Sequence, residues 1–347
     1  MRSRARTRSV LAAAVVGLAV LGAGLAAGLS GDGSEVVDDD WQRPSPFDTY
    51  DPVRAGEPLP AGYREAFVRD QLRPIYRPRF VPAVEAGWPD DALVVALAVD
   101  GEAKAYPVHT LNHREMVIDY VGGAPVLVSW CPLCATAMAH RRELDGQEIV
   151  LGNQGDLYGN AMTWWDHETG SVWSQPRGEA ILGPLAGARL ELLPARLTEW
   201  GAWRDAHPDT LALDAPGLPT SFRLDDMLIA VELGDDVRGY PVAEVREAGV
   251  VSDRVDGVPI AVVVDPRDAP RWQVFARSLD GDDLTLTLDG AYLVDPDSGT
   301  RWDQARGSGV DGPRADEPLP TVPALTIFPD DFPTFFPGGE VVAPGGR

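Results

Sequence analysis

Short apolar runs separated by Asp-Gly and Gly-Gly pairs set the pattern of the chain from about residue 90 onward. Leu93–Val99 is an apolar run closed by Asp100-Gly101, and Ala103–Tyr106 returns as its hairpin partner. Pro107 to Glu115 predicts a short helix, because proline suits a first turn. Val117–Tyr120, a Gly122-Gly123 turn and Pro125–Trp130 predict another strand pair. Ala137–Leu144, Asp145-Gly146 and Glu148–Leu151 predict a further hairpin, since Asp-Gly between extended runs is a strong hairpin signal. Val274–Leu279, Asp280-Gly281 and Leu284–Leu288 repeat it. The expected class is α+β and β-rich, built from hairpins and short helices.

The recurrence extends beyond that hairpin. Tyr106-Pro107 returns as Tyr240-Pro241, an offset of 134 residues. At that offset Asp119 meets Asp253, Gly123 meets Gly257, Pro125 meets Pro259, and Cys131-Pro-Leu-Cys134 meets Asp265-Pro-Arg-Asp268. Further on, Asp166 to Gln175 answers Asp295 to Gln304 at an offset of 129. The first copy has therefore gained five residues net, in or near Gly152–Tyr158. Positions shared by both copies point to the fold; positions present in one point to chemistry. The expected organisation is an export signal or anchor at 1–30, an acidic disordered linker at 31–61, a first unit at 62–215, a second, degenerate unit at 216–337, and a flexible tail at 338–347.

The chain carries a formal charge of −23, although residues 1–30 hold four arginines and no acid. So acidic a body excludes nucleic acid as a partner. Val10–Leu29 is uncharged and mostly apolar behind that arginine cluster, the layout of an export signal or an uncleaved anchor. The body is therefore expected outside the cytoplasm, with membrane contact only through this segment, where a thiol pair can persist as a disulfide. The oligomeric state is not set by these features.

Cys131 and Cys134 are the chain's two cysteines, and four of its five histidines (His109, His113, His140 and His167) fall with them within residues 109–167. Pro132 and the following hairpin place the cysteines in a tight turn between strands. Three readings of the pair stay open. One is a reversible or structural disulfide, more often redox-active because so short a ring adds little stability. Another is a site for a transition metal, zinc or copper, with His113 and His109 as further ligands at i, i+4 on one helical face. The third is an enzyme with Cys131 as nucleophile and His113 or His140 as base, Glu115 standing nearby. A non-catalytic envelope binding module is the remaining alternative. His140 in a strand and His167 in a turn read as structural and solvated, respectively. Asn153, Gln154 and Asp156, in a glycine-rich stretch, are candidate contacts for an unknown small molecule, as a lid or pocket wall.

Several segments together resemble the family of domain of unknown function 3179. They are Ala105-Tyr-Pro107, Asn112 to Asp119, the strand into Cys131-Pro-Leu-Cys134, Asp166 to Trp173, Gly183 to Gly187, and Trp200, Trp203 and His207-Pro208. The resemblance covers about residues 75–335 and implies the fold and its boundaries, and often export, rather than an activity. The family pattern often has His before the Glu matching Glu115, Asn before the Asp matching Asp119, and Gly after the second Cys. Here those positions are Arg114, Ile118 and Ala135, with His113 one residue early. Some relatives lack the second cysteine, which raises the standing of Cys131.

Overall fold

The computed structural model describes residues 44–266 and 271–342. The proposed export segment, residues 31–43 of the linker, Asp268 and residues 343–347 lie outside the described residues. Among the described residues no helix is long and apolar enough to cross a membrane.

The first repeat begins with the hairpin β1 (Leu93–Val99) and β2 (Glu102–Pro107), followed by helix α1 (Val108–Arg114). A meander follows: β3 (Met116–Val121), β4 (Ala124–Cys131) and β5 (Thr136–Arg141). Next come β6 (Leu151–Tyr158), β7 (Ala161–Asp166) and β8 (Val172–Ser174) in a separate sheet. The repeat closes with β9 (Arg196–Glu199), α2 (Trp200–Ala206) and β10 (Leu211–Leu213). Strands β9 and β10 return to the first hairpin, β9 beside β1 and β10 beside β2.

The second repeat retraces this path. Its elements are β11 (Leu228–Leu233), β12 (Asp236–Pro241), α3 (Val242–Ala248), β13 (Val250–Val255), β14 (Val258–Val264) and β15 (Trp272–Ala276). They continue as β16 (Thr287–Asp289), β17 (Tyr292–Val294), β18 (Arg301–Asp303), β19 (Leu325–Ile327), α4 (Phe332–Phe335) and β20 (Glu340–Val341). The pairing registers agree residue for residue. Thr198 opposes Val94 as Ile327 opposes Leu228, and Leu211 opposes Lys104 as Glu340 opposes Arg238. The repeat thus runs to Val341. The expected tail from 338 is corrected, because Glu340–Val341 is the last strand of the second unit.

Alternation along β4 builds two cores. Val126, Val128 and Trp130 point into a central core that also takes Ile260, Val262 and Val264 from β14. Leu127 and Cys131 point the other way, into an outer core with Trp164 and Trp173 of β7 and β8. In the second repeat Ala261, Val263, Leu293 and Trp302 form the matching outer core. A strand with apolar residues on both faces is buried on both.

The repeats are tied crosswise. Thr326 of β19 donates its hydroxyl to Ala135 O (2.9 Å), and Phe328 N donates to Cys134 O (3.0 Å). Reciprocally, Trp272 Nε1 of β15 donates to Leu197 O of β9 (2.9 Å). Each repeat's β9- or β19-type strand thereby covers the other's meander turn.

The expected linker is also corrected. Residues 44–61 are held by buried polar groups. Arg69 donates to Tyr50 O (2.8 Å) and pairs with Asp51, while Gly183 N donates to Glu57. Gly170 is essential to this docking: its φ is +75°, and a Cβ there would stand 1.9 Å from Tyr50 O. Gly170→Ala is expected to cost about 2 kcal/mol or more, and to open residues 44–61 to protease. Thermal melts with limited proteolysis check it; an unchanged digestion pattern would contradict this docking.

Candidate thiol site

The strand pair β4–β5 ends on the two cysteines because the chain reverses between Cys131 and Thr136, which oppose each other in register. Ala135 completes the reversal at φ +56°, where the family pattern places glycine. Three consecutive carbonyls of the turn are held: Leu133 O by Asn160 Nδ2 (3.0 Å), Cys134 O by Phe328 N and Ala135 O by Thr326. The backbone is fixed without help from sulfur. Both thiols are free of a disulfide and fully buried, and Leu133 is the exposed face of the turn.

The proton on Cys134 follows from hydrogen accounting. Gln175 Nε2 donates to Ser129 Oγ (3.3 Å) and Thr136 O (3.4 Å), so its Oε1 is the acceptor. Thr136 has one hydroxyl hydrogen and gives it to that oxygen at 2.6 Å. The 3.1 Å contact between Cys134 Sγ and Thr136 Oγ1 must then be made by the thiol hydrogen. Burial pushes the Cys134 thiol well above its ordinary range, and its interaction with Cys131 adds to the effect. Cys134 therefore holds its proton.

The metal set Cys131, Cys134, His113 and His109 is not assembled. Val108 and Leu111 bury the apolar side of α1 in the central core, whereas the cysteines belong to the outer core. His113 is exposed, and its ring faces His109 at 6.2 Å. Burial and the neighbouring His113 lower the His109 pKa. Among the described residues no group of three or more His, Cys, Asp or Glu could hold a metal ion. His113 is equally remote as a general base. His140 is on the thiol side but is buried against Trp164, and burial lowers its pKa to about 3. It fills a packing role: Phe275 takes its place in the second repeat, each ring lying against a glycine, Gly178 or Gly307.

Glu115, by contrast, is in the site layer. It caps α1 in the left-handed region (φ +59°), where the second repeat has Gly249 (φ +76°). Glutamate at a position suited to glycine is strained, and such strain points to a role for the side chain. Glu115 O accepts from Trp130 N (2.9 Å), beside the strand end that carries Cys131. Its carboxylate accepts from Asn153 Nδ2 at 2.6 Å, and burial raises its pKa to about 7. Asn153 opposes Trp164 in the sheet, and Leu288 opposes Leu293 at the matching place in the second repeat. The pair Glu115–Asn153 therefore belongs to the first repeat alone.

The expected glycine-rich lid is corrected to strand β6, bulged between Asn153 and Leu157. The bulge and the long β6–β7 hairpin take up the extra residues of the first copy, where the second has the short turn between Asp289 and Tyr292. Gln154 and Asp156 bind the chain itself. Gln154 accepts from Arg69 Nε (2.7 Å), and Asp156 accepts from the Tyr63 hydroxyl (2.8 Å) and Ala66 N (3.1 Å). On that face His167 is buried, not solvated, stacked on Trp165 at 4.4 Å beside Tyr76.

The family model described as Protein of unknown function (DUF3179) matches residues 69–223 and again residues 218–346. The chain belongs to this family. No curated protein and no solved structure matches it. The two DUF3179 segments correspond to the two structural repeats, so the internal duplication is a duplication of the family domain. Within the first DUF3179 copy, sequence reading found Cys131, Cys134, Glu115 and Asn153 but missed Ser129, Thr136 and Gln175. Gln175 recurs as Gln304, so comparing the copies does not single it out. Ser129 and Thr136 were legible only once β4 and β5 were paired.

Proposed function

We propose that the first DUF3179 repeat is a dithiol–disulfide redox centre, with Cys131 and Cys134 as its working pair and the body of the protein outside the cytoplasm. One observation carries this reading. The turn is held by backbone hydrogen bonds, so two interacting buried thiols are retained there without a structural need for them. The basic, apolar first 30 residues support export, and an exported dithiol can cycle through its disulfide.

Cys131 is the attacking sulfur, since Cys134 keeps its proton. The Cys131 thiolate attacks one sulfur of an incoming disulfide, and the other sulfur leaves as a thiolate. Cys134, after losing its proton, displaces the first sulfur. The pair has then lost two protons and two electrons, and the partner has become two thiols. Glu115 shares this layer and exchanges a proton near neutral pH, so it is suited to the bookkeeping of thiol hydrogens.

Equilibration with glutathione buffers of graded potential, followed by thiol alkylation in denaturant, tests the reading. Both thiols are expected to become protected together in one two-electron transition. Cys134→Ser is expected to stop at a mixed disulfide on Cys131. Thiols that stay fully alkylatable after the most oxidising buffer would sink it, as would stoichiometric uptake of zinc or copper with no oxidation.

A further inference from the structure

The second repeat holds a counterpart of the thiol site, and it is a cleft. A cavity of about 60 Å³ is lined by Asp265, Gln273, Asp303 and Gln304, with Arg271 and with Arg196 from the first repeat. The strand registers map it onto the thiol site. Asp265 stands for Cys131 and Gln304 for Gln175. Trp272 opposes Val264 as Ala137 opposes Trp130, so Arg271 stands for Thr136. Arg196 on β9 stands where β19 places Leu325 over the thiols. A packed thiol site in one repeat corresponds to a charged cavity in the other.

The polar atoms around the cleft are incompletely used. Gln175 directs its amide to Thr136 and Ser129, whereas Gln304, only 6% exposed, buries Oε1 without a partner. Arg196 donates Nη1 to Ala305 O (3.0 Å) and lies over the Trp203 ring, but its Nε is buried and unpartnered. Arg271 also buries an unpartnered Nε, and its ion pair with Asp205 is long, at 4.0 Å. Asp303 is a nearby counter-charge to Arg196, but its Oδ1 accepts from Ala305 N and Arg306 N of its own turn. Unmade hydrogen bonds on buried groups are costly, so three at one cavity point to a ligand. Burial lowers the Arg196 pKa to about 10, with the nearby Asp303 carboxylate opposing, which leaves the guanidinium charged.

We infer that this cleft binds a small carboxylate that carries a hydrogen-bond donor, such as an α-hydroxy or α-amino acid. The two guanidinium N–H groups supply donors for a carboxylate, and Gln304 Oε1 accepts from the ligand's own hydroxyl or amine. Asp265 and Asp303 at the same cavity weigh against a doubly charged phosphate. A water needs about 10–15 Å³ on this measure, so the space suits roughly four to six non-hydrogen atoms.

Calorimetric titration of the full chain with glycolate, glycine, acetate and inorganic phosphate tests the inference. Glycolate or glycine is expected to bind saturably and more tightly than acetate. Arg196→Met and Gln304→Leu are each expected to weaken that binding about tenfold or more, with the fold verified by circular dichroism. If one variant fails to fold, the other decides. Cys131→Ser with Cys134→Ser should leave binding unchanged, which separates this site from the redox reading. Binding of phosphate in preference to the carboxylates, no binding of any probe, or full affinity in the folded variants would overturn it.

Discussion

Asn153→Leu is expected to destabilise the protein by about 2–4 kcal/mol, and Glu115→Gly is expected to recover most of that loss. Leu and Gly are the residues the second repeat carries at these places, Leu288 and Gly249. Asn153→Leu alone strips the buried Glu115 carboxyl of its donor. Glu115→Gly alone relieves a left-handed residue, worth about 1 kcal/mol, but leaves Asn153 Nδ2 without its acceptor. The double variant has neither defect and should fall within about 1 kcal/mol of the parent. Urea unfolding of the four proteins gives the coupling, expected at about 2 kcal/mol or more. Additive effects would mean that the two side chains do not act as a unit.

Stability is expected to fall as pH rises from about 4.5 to about 7, and Glu115→Gln should remove that fall. The Glu115 pKa is raised from 4.5 to about 7, chiefly by burial, with the Asn153 hydrogen bond opposing. The folded form therefore holds its proton up to about pH 7, while the unfolded chain releases it near 4.5. Between those values unfolding releases a proton, so higher pH favours the unfolded state. The stabilisation is complete below about pH 4.5 and is lost as pH passes about 7, amounting to about 3 kcal/mol. Glutamine is neutral throughout and still offers Asn153 a carbonyl oxygen. The difference between the two proteins' stabilities, measured from pH 4 to pH 9, should follow a single titration. Parallel curves would exclude Glu115 as the titrating group.

Most of the first repeat's strands were legible because apolar runs and Asp-Gly turns are local signals. The helix over 108–114 and the cysteine turn followed from Pro107 and Pro132 in the same way. Depth and partnership are not local. His113 and Glu115 are two residues apart, yet the left-handed cap turns only Glu115 into the interlayer. Gly152–Asp156 resembled a loop because glycine and polar residues usually mark one. Here they form a buried strand, because Arg69, Asp70 and Tyr63 supply partners from segments more than 80 residues away. The comparison of copies could not show what surrounds the second site, for a related reason. The sulfurs are absent at 265 and 268, and Arg196, one of the charged residues that line that cleft, lies in the other repeat.

The crosswise closure has a consequence for autonomy. A chain holding only one repeat would leave its turn carbonyls without Thr326- and Phe328-type donors, and its β9-type strand without a turn to cover. Two copies could meet that need by exchanging those strands about a two-fold axis, giving a homodimer with two identical pockets. Joined in one polypeptide, the halves no longer have to be alike. The tether preserves the exchange, and each pocket is free to take its own chemistry, sulfur in one and guanidinium in the other.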